Sequence, residues 1–237
     1  MIKMLRLKAV LAAFLGMSLA FACRGEVMAA FGTDLVARSA VTSFSAMLEL
    51  LPFQPAADDD EGVWVLSSPD GAASFWWRKS ANERRAYDAY LCFDAEPFVN
   101  AGLDLGRLPM DMKMMLDDRG RLMFGTKLSD KPLEYDGEVT PLSSFEQIVK
   151  LDRESIGYHA ALDHYGVTVS EGSLFEWAKD ASKNDKDIVF VLNPSVFIEA
   201  GVDPSKVEGW AYAPVPVEDA NGKKYEAEKF LKPFDLK

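Results

Sequence analysis

Histidine and cysteine are scarce in this chain, with two of each in 237 residues. Two cysteines cannot build a disulfide framework or a thiolate metal site, and two histidines are too few for a three-imidazole centre. There is no Gly-x-Ser-x-Gly elbow and no glycine-rich phosphate loop. Nor is there an apolar run of about 20 residues, the length a membrane-spanning helix requires. Basic residues are also outnumbered, 26 against 37 acidic, for a net charge of −11. Such a surface repels phosphate backbones, so nucleic acid is not expected as a partner.

What is present begins with the N-terminus. Lys3, Arg6 and Lys8 precede an uncharged apolar run from Ala9 to Ala22 that closes on Ala20-Phe21-Ala22. A basic start, a short apolar core and a small-x-small ending predict a secretory signal peptide over residues 1–22. Cys23 follows at once, and Leu19-Ala20-Phe21-Ala22-Cys23 resembles a bacterial lipoprotein signal, which implies lipidation at Cys23. Ala20 departs from that pattern, which usually has Leu three residues before the cysteine. A later cut near Met28-Ala29-Ala30 would discard Cys23. After residue 22 the chain carries 23 basic and 37 acidic residues, a net charge of −14. The expected location is the periplasm or cell surface, with the membrane reached only through an N-terminal lipid.

The remaining cysteine, Cys92, lies in Tyr90-Leu91-Cys92-Phe93, an apolar run that reads as a buried strand. Its thiol is therefore read as core rather than reactive. A Cys23–Cys92 bridge is the alternative if Cys23 is kept without a lipid. With 49% apolar residues and about 215 of them after the signal, a packed core is expected.

An internal duplication organises the chain. With an offset of 99, Phe98, Ala101, Gly102 and Asp104 match Phe197, Ala200, Gly201 and Asp203, while Val99, Leu103, Arg107 and Leu108 match Ile198, Val202, Lys206 and Val207. Asp94 and Asn193 read as helix N-caps, with Pro97 and Pro194 in the first turn. Gly102 and Gly201 read as left-handed helix ends, and Asp104 and Asp203 as turn starters. Asp70-Gly71 and Trp77 resemble Glu171-Gly172 and Trp177 upstream. Downstream, residues 116–121 resemble residues 217–223, where Asn221-Gly222 signals a hairpin.

Residues 35–51 predict a helix with Val41, Phe44, Met47, Leu48 and Leu51 on one face. Residues 143–165 also read as helix, opened by a Ser143/Glu146 capping box, and Ser173/Glu176 suggests another over 174–178. Residues 63–66 and 74–77 read as a hairpin around Pro69-Asp70-Gly71. Residues 56–62 read as a loop, and residues 125–141 as a polar connection with one strand. The fold expected is α+β: two degenerate tandem copies of a strand–helix–turn–β-hairpin unit, each preceded by a helix, with antiparallel sheets. The copies are bounded at 23–140 and 141–237 and packed as one globular unit.

Candidate chemistry is sparse. On a helix His159 and His164 diverge by about 140°, so they cannot grip one metal, although His159 and Asp163 would share a face. Neither a metal nor any other cofactor is implied. Met110, Met112 and Met114 alternate, with Met123 beyond them, and thioethers suit Cu(I); adaptable core packing is the preferred reading. Trp77 and Trp177 recur in both copies and read as core, which leaves Trp64, Trp76 and Trp210 as the candidate ligand-binding face. Asp58-Asp59-Asp60-Glu61 lacks the ligand spacing of a calcium loop. The expected function is an exported, non-catalytic binding or scaffold protein of the bacterial cell envelope, with a small molecule, glycan or protein as partner and the seam between the copies as its cleft. The alternatives are an envelope hydrolase using carboxylates and a Cu(I)-handling protein using the methionines.

Overall fold

The computed structural model describes residues 34–79, 87–109, 116–117, 119–126, 137–170, 172–183, 186–218 and 223–236. Cys23, the rest of the N-terminal segment, and Met110, Met112 and Met114 lie outside the described residues. No described helix is long and apolar enough to cross a membrane.

The fold is α+β, with two similar antiparallel sheets. Helix α1 spans residues 34–50 and buries Ala37, Ala40, Phe44, Met47 and Leu48, one face at the 3.6-residue period. The first sheet follows in chain order: β1 (Ala56–Asp58), β2 (Val63–Ser67), β3 (Ala73–Arg78), β4 (Ala89–Asp94) and β5 (Arg121–Thr126). Between β4 and β5 run the one-turn helix α2 (Glu96–Asn100) and a 3-10 turn (Leu105–Arg107).

The second sheet is ordered β10-β11-β9-β8-β7-β6. Its helix, α3 (Pro141–Leu151), precedes β6 (Ile156–His159), β7 (His164–Ser170), β8 (Ser173–Ala178) and β9 (Ile188–Leu192). Helix α4 (Ser195–Glu199) and a 3-10 turn (Pro204–Lys206) then lead to the hairpin β10 (Ala211–Glu218) and β11 (Lys224–Phe234).

Several local expectations are corrected. Residues 56–58 are a strand, paired with Val63–Val65, rather than loop. The helix expected over 143–165 ends at Leu151, because the Asp152 side chain accepts the Ser155 N–H at 3.3 Å and turns the chain. Its capping box is Thr140 with Ser143, not Ser143 with Glu146. Residues 173–178 form β8 rather than a helix, since Phe175 and Trp177 face the core together while Leu174 and Glu176 face away. The caps of α2 and α4 are Ala95 and Pro194, one residue later than expected; Asn193 Oδ1 still accepts the Ser195 N–H.

The inner faces of both sheets share one core with α1 and α3. Aromatic pairs run along the seam: Phe44 on Phe145 at 3.8 Å, Phe75 on Phe175 at 4.3 Å and Phe98 on Phe197 at 4.6 Å between ring centroids. The seam is therefore packed shut between the sheets, where the expected cleft is not found, and it leaves a surface hollow of about 460 Å³ between α1 and α3, lined by Asp34, Arg38, Glu146 and Arg153. Each long helix also bonds to the sheet of the other half. Ser43 Oγ of α1 donates to Ala178 O of β8 at 2.9 Å. Trp64 Nε1 of β2 donates to Ser144 Oγ of α3 at 3.0 Å, and Trp77 Nε1 of β3 to Pro141 O at 3.0 Å.

At the far end of the seam, Gly102 and Gly201 have φ +107° and +104° directly after α2 and α4. The Asp104 N–H donates to Ala200 O at 3.0 Å and the Asp203 N–H to Ala101 O at 2.9 Å, a reciprocal pair.

Candidate functional site

The outer face of each sheet, away from the shared core, is set by alternation along the strands. In the first sheet this face is packed with apolar side chains, and a shallow hollow of about 450 Å³ beside Val65 and Trp76 is rimmed by Asp58, Asp59, Asp60, Arg119 and Arg121. Val63, Trp76, Tyr90 and Cys92 are buried there, with Val65, Tyr87 and Met123 against them. Trp76 Nε1 is satisfied by Ser74 Oγ at 2.6 Å, and burial pushes the Cys92 thiol up to about 11, so it is inert at neutral pH.

In the second sheet the same face is open. Its edge strands, β6 and β10, curl towards each other until His159 Nε2 lies 2.5 Å from Pro216 O. Pro214 and Pro216 fit on β10 because an edge strand can spare their missing N–H groups. The curled sheet encloses a cavity of about 570 Å³ whose lining includes Gly157, His159, Gly166, Leu174, Glu176, Val191, Val215, Val217 and Lys229. This lies within the range of about 300–1,000 Å³ typical of small-molecule sites.

The contrast has a residue-level cause. Register places Trp64 opposite Trp77 and Val65 opposite Trp76 in the first sheet, and Tyr165 opposite Trp177 and Gly166 opposite Glu176 in the second. Where one sheet has Val63, Val65 and Trp76, the other has His164, Gly166 and Glu176. An indole is replaced by a carboxylate and an isopropyl group by a hydrogen, so space opens.

That space holds a polar cluster. His159 and His164 are directly paired across β6 and β7, and both turn Nδ1 towards Glu176. His159 Nδ1 is 3.4 Å from Oε1, and His164 Nδ1 is 3.7 Å from Oε2. Glu176 is 5% exposed and His164 3%. Burial alone would raise the Glu176 carboxyl, but the two imidazoles outweigh it and hold the group below its usual value. The neighbouring carboxylate correspondingly raises His159, against the opposing effect of burial. Glu176 Oε2 and His164 Nδ1 are buried without a hydrogen-bond partner. Lys229 on β11 is 8% exposed and donates from Nζ to Gly172 O at 2.9 Å; burial lowers its ammonium pKa. Among the described residues no group of three His, Cys, Asp or Glu is arranged to hold a metal ion.

The residues singled out from sequence do not gather. Trp64 is half-buried against α3, with Lys79 Nζ 4.5 Å above its ring. Trp76 fills the outer face of the first sheet, and Trp210 lies in the shared core beside Phe93 and Phe98. The three therefore occupy separate places and share no surface. Asp163 pairs with the Tyr158 hydroxyl at 2.5 Å and with Lys179 at 3.8 Å, so it makes no half-site with His159. Glu176, Lys229, Gly157 and Gly166 were absent from the sequence reading of the site. The signal that could have found Glu176 is its place between Phe175 and Trp177, which repeats Phe75-Trp76-Trp77 with a charge in the middle.

No family model matches this chain, and no curated protein or solved structure is significantly similar to it.

Proposed function

We propose that this chain is an exported binding protein of the bacterial cell envelope, built from two copies of one α+β unit, whose second copy holds a small molecule in the cavity lined by His159, Glu176 and Lys229. The observation that carries this reading is the contrast between the two outer faces. The hollow on the first is floored by Val65 and the packed Trp76, while the cavity on the second reaches the buried charges of Glu176 and Lys229. Burying Glu176 and Lys229 in this wall costs free energy that an apolar face like that of the first sheet does not incur, so packing alone does not explain the cavity.

Duplication is supported by the matched φ values at Gly102 and Gly201, by the reciprocal Asp104 and Asp203 hydrogen bonds, and by helix–3-10 pairs spaced 99 residues apart. Export and lipidation at Cys23 rest on the signal pattern alone. Intact-mass analysis of the mature protein tests them: a lipidated chain starting at Cys23 is expected, and retention of residues 1–22 defeats both. Binding is favoured over hydrolysis by paired carboxylates because Glu176 is the one carboxylate among the residues lining the cavity.

The cavity is tested by plugging it. A Cβ at Gly157 meets nothing within 4 Å, so Gly157→Phe should place its ring in the cavity without disturbing the strand. Thermal-shift screening of the unaltered protein against a library of small metabolites should find stabilising ligands. Those shifts should vanish in Gly157→Phe while its own melting temperature holds. Ligands that stabilise both proteins equally bind elsewhere and defeat the assignment.

A further inference from the structure

We propose that the cavity takes a molecule with one anionic head and an apolar tail, the head held by Lys229 and the tail by Leu174, Val191, Val215 and Val217. This rests on the reading of the cavity as a binding site and goes on to its ligand class.

Charge accounting in the cavity carries the argument. Glu176 is the one carboxylate among the lining residues, and His159 already stands against it at 3.4 Å. Glu176 is thus engaged by His159 and His164, and Lys229 makes no ion pair among the described residues, so its buried ammonium has no counter-charge in contact; Lys224 adds a second cation to the lining. An ammonium has three donors, and Lys229 gives one of them to the neutral carbonyl of Gly172 at 2.9 Å. A buried ammonium with only a carbonyl partner is costly, and an anion placed beside it relieves that cost. The valines and Leu174 provide nothing for a polar tail to bond to. The protein's overall charge of −11 gives anions no general attraction, so affinity for one must arise locally.

The competing chemistry is a cationic head on the unpartnered Glu176 Oε2. One set of probes separates the two. Decanoate, decyl phosphate, decanol and decylamine share a tail and differ in the head, and their binding to the purified protein can be measured by calorimetry. Decanoate or decyl phosphate should bind at least tenfold more tightly than decanol and decylamine, and the better of the two identifies the head as carboxylate or phosphate. In Lys229→Met, the preference over decanol should collapse to within about twofold, with decanol itself little changed.

Decylamine equal to or tighter than the anions overturns the proposal, as does a preference that survives Lys229→Met. Decanol binding as well as the anions also overturns it, yet leaves the cavity standing as a binding site. If no probe binds, the anionic-tail class is wrong, and the Gly157→Phe screen decides the cavity independently. Because the four-probe comparison uses the unaltered protein, it remains decisive even if Lys229→Met fails to fold.

Discussion

At Gly102 and Gly201 the two halves of the chain meet backbone to backbone. A Cβ on Gly102 would lie 2.9 Å from Gly201 O, and one on Gly201 would lie 3.1 Å from Gly102 O. Both positions also have φ above +100°, where side chains other than hydrogen are strained. Gly102→Ala should therefore cost about 2 kcal/mol or more, combining a left-handed penalty of about 1–2 kcal/mol with the clash. Urea unfolding measures it, and a cost below that of alanine at exposed Val99 would remove the special role. The charges in the cavity give a second residue-scale expectation. His159 is raised above 6.5, so its contribution to stability is complete below pH 6.5 and is lost as pH rises through the folded-state value. Glu176 is lowered beneath 4.5, so its contribution is complete above pH 4.5 and is lost as pH falls through the folded-state value. The pair therefore stabilises fully between about pH 4.5 and 6.5. The urea midpoint should fall from pH 5.5 to 8.5, and should fall less in His159→Gln. Parallel pH curves for the two proteins would show that the contact contributes nothing.

Among the elements, those with a single strong local signal were legible in the sequence. Helix α1 has a full apolar stripe, and β2 and β3 flank Pro69-Asp70-Gly71, so both were readable from periodicity and turn chemistry. The stretch from Asp152 to Ala178 was not. β6 is an edge strand in which Gly157 and Tyr158 are exposed, so it shows no two-residue alternation. β8 imitates a helix start because Ser173 and Glu176 have capping-box spacing, yet Glu176 instead faces the two imidazoles. Reading β6, the first residues of β7, and β8 as helical separates His159, His164 and Glu176, and with them the candidate site. Comparison with Ser74-Phe75-Trp76-Trp77, which reads as strand, carried the missing information. The true start of α3 is also testable. Thr140 Oγ1 accepts the Ser143 N–H at 3.1 Å, and Ser143 Oγ accepts the Thr140 N–H at 2.8 Å. Thr140→Ala should therefore destabilise by about 1 kcal/mol. Glu146→Ala should cost much less, because the capping box is complete without it; equal costs would contradict the observed cap.

In the whole molecule, the two halves share too much to stand alone. α1 belongs to the first half by sequence, yet Ser43 bonds to the end of β8, and Phe44 meets Trp177 at 5.3 Å as well as Trp77 at 5.8 Å. α3 belongs to the second half, yet it accepts hydrogen bonds from Trp64 and Trp77 of the first sheet. Further links join the halves: Arg153 of the second pairs with Asp34 of α1 at 2.5 Å, and Lys232 of β11 with Asp70 of the β2–β3 turn at 2.6 Å. The Lys232 pair, with the hydroxyl of Ser68, holds the Asp70 carboxyl at about 2 despite partial burial. Separating the halves at residue 140 would expose Phe44, Phe75 and Phe98 on one side and Phe145, Phe175 and Phe197 on the other. Each of these rings is fully buried in the intact chain, and exposing one costs about 1.5–3 kcal/mol. Three such losses remove about 4.5–9 kcal/mol from each fragment, comparable with the roughly 5–15 kcal/mol that stabilises an ordinary domain. Residues 24–140 and 141–237, expressed separately, should therefore show no cooperative thermal transition and should bind a hydrophobic dye. Mixed in equal amounts they should recover a single transition, because the helices can exchange across the seam as they do in the intact chain. A cooperative transition in either fragment alone would mean that the seam joins two independent domains, and Phe44→Ala would then leave the melting of the second fragment's sheet unchanged in the full protein.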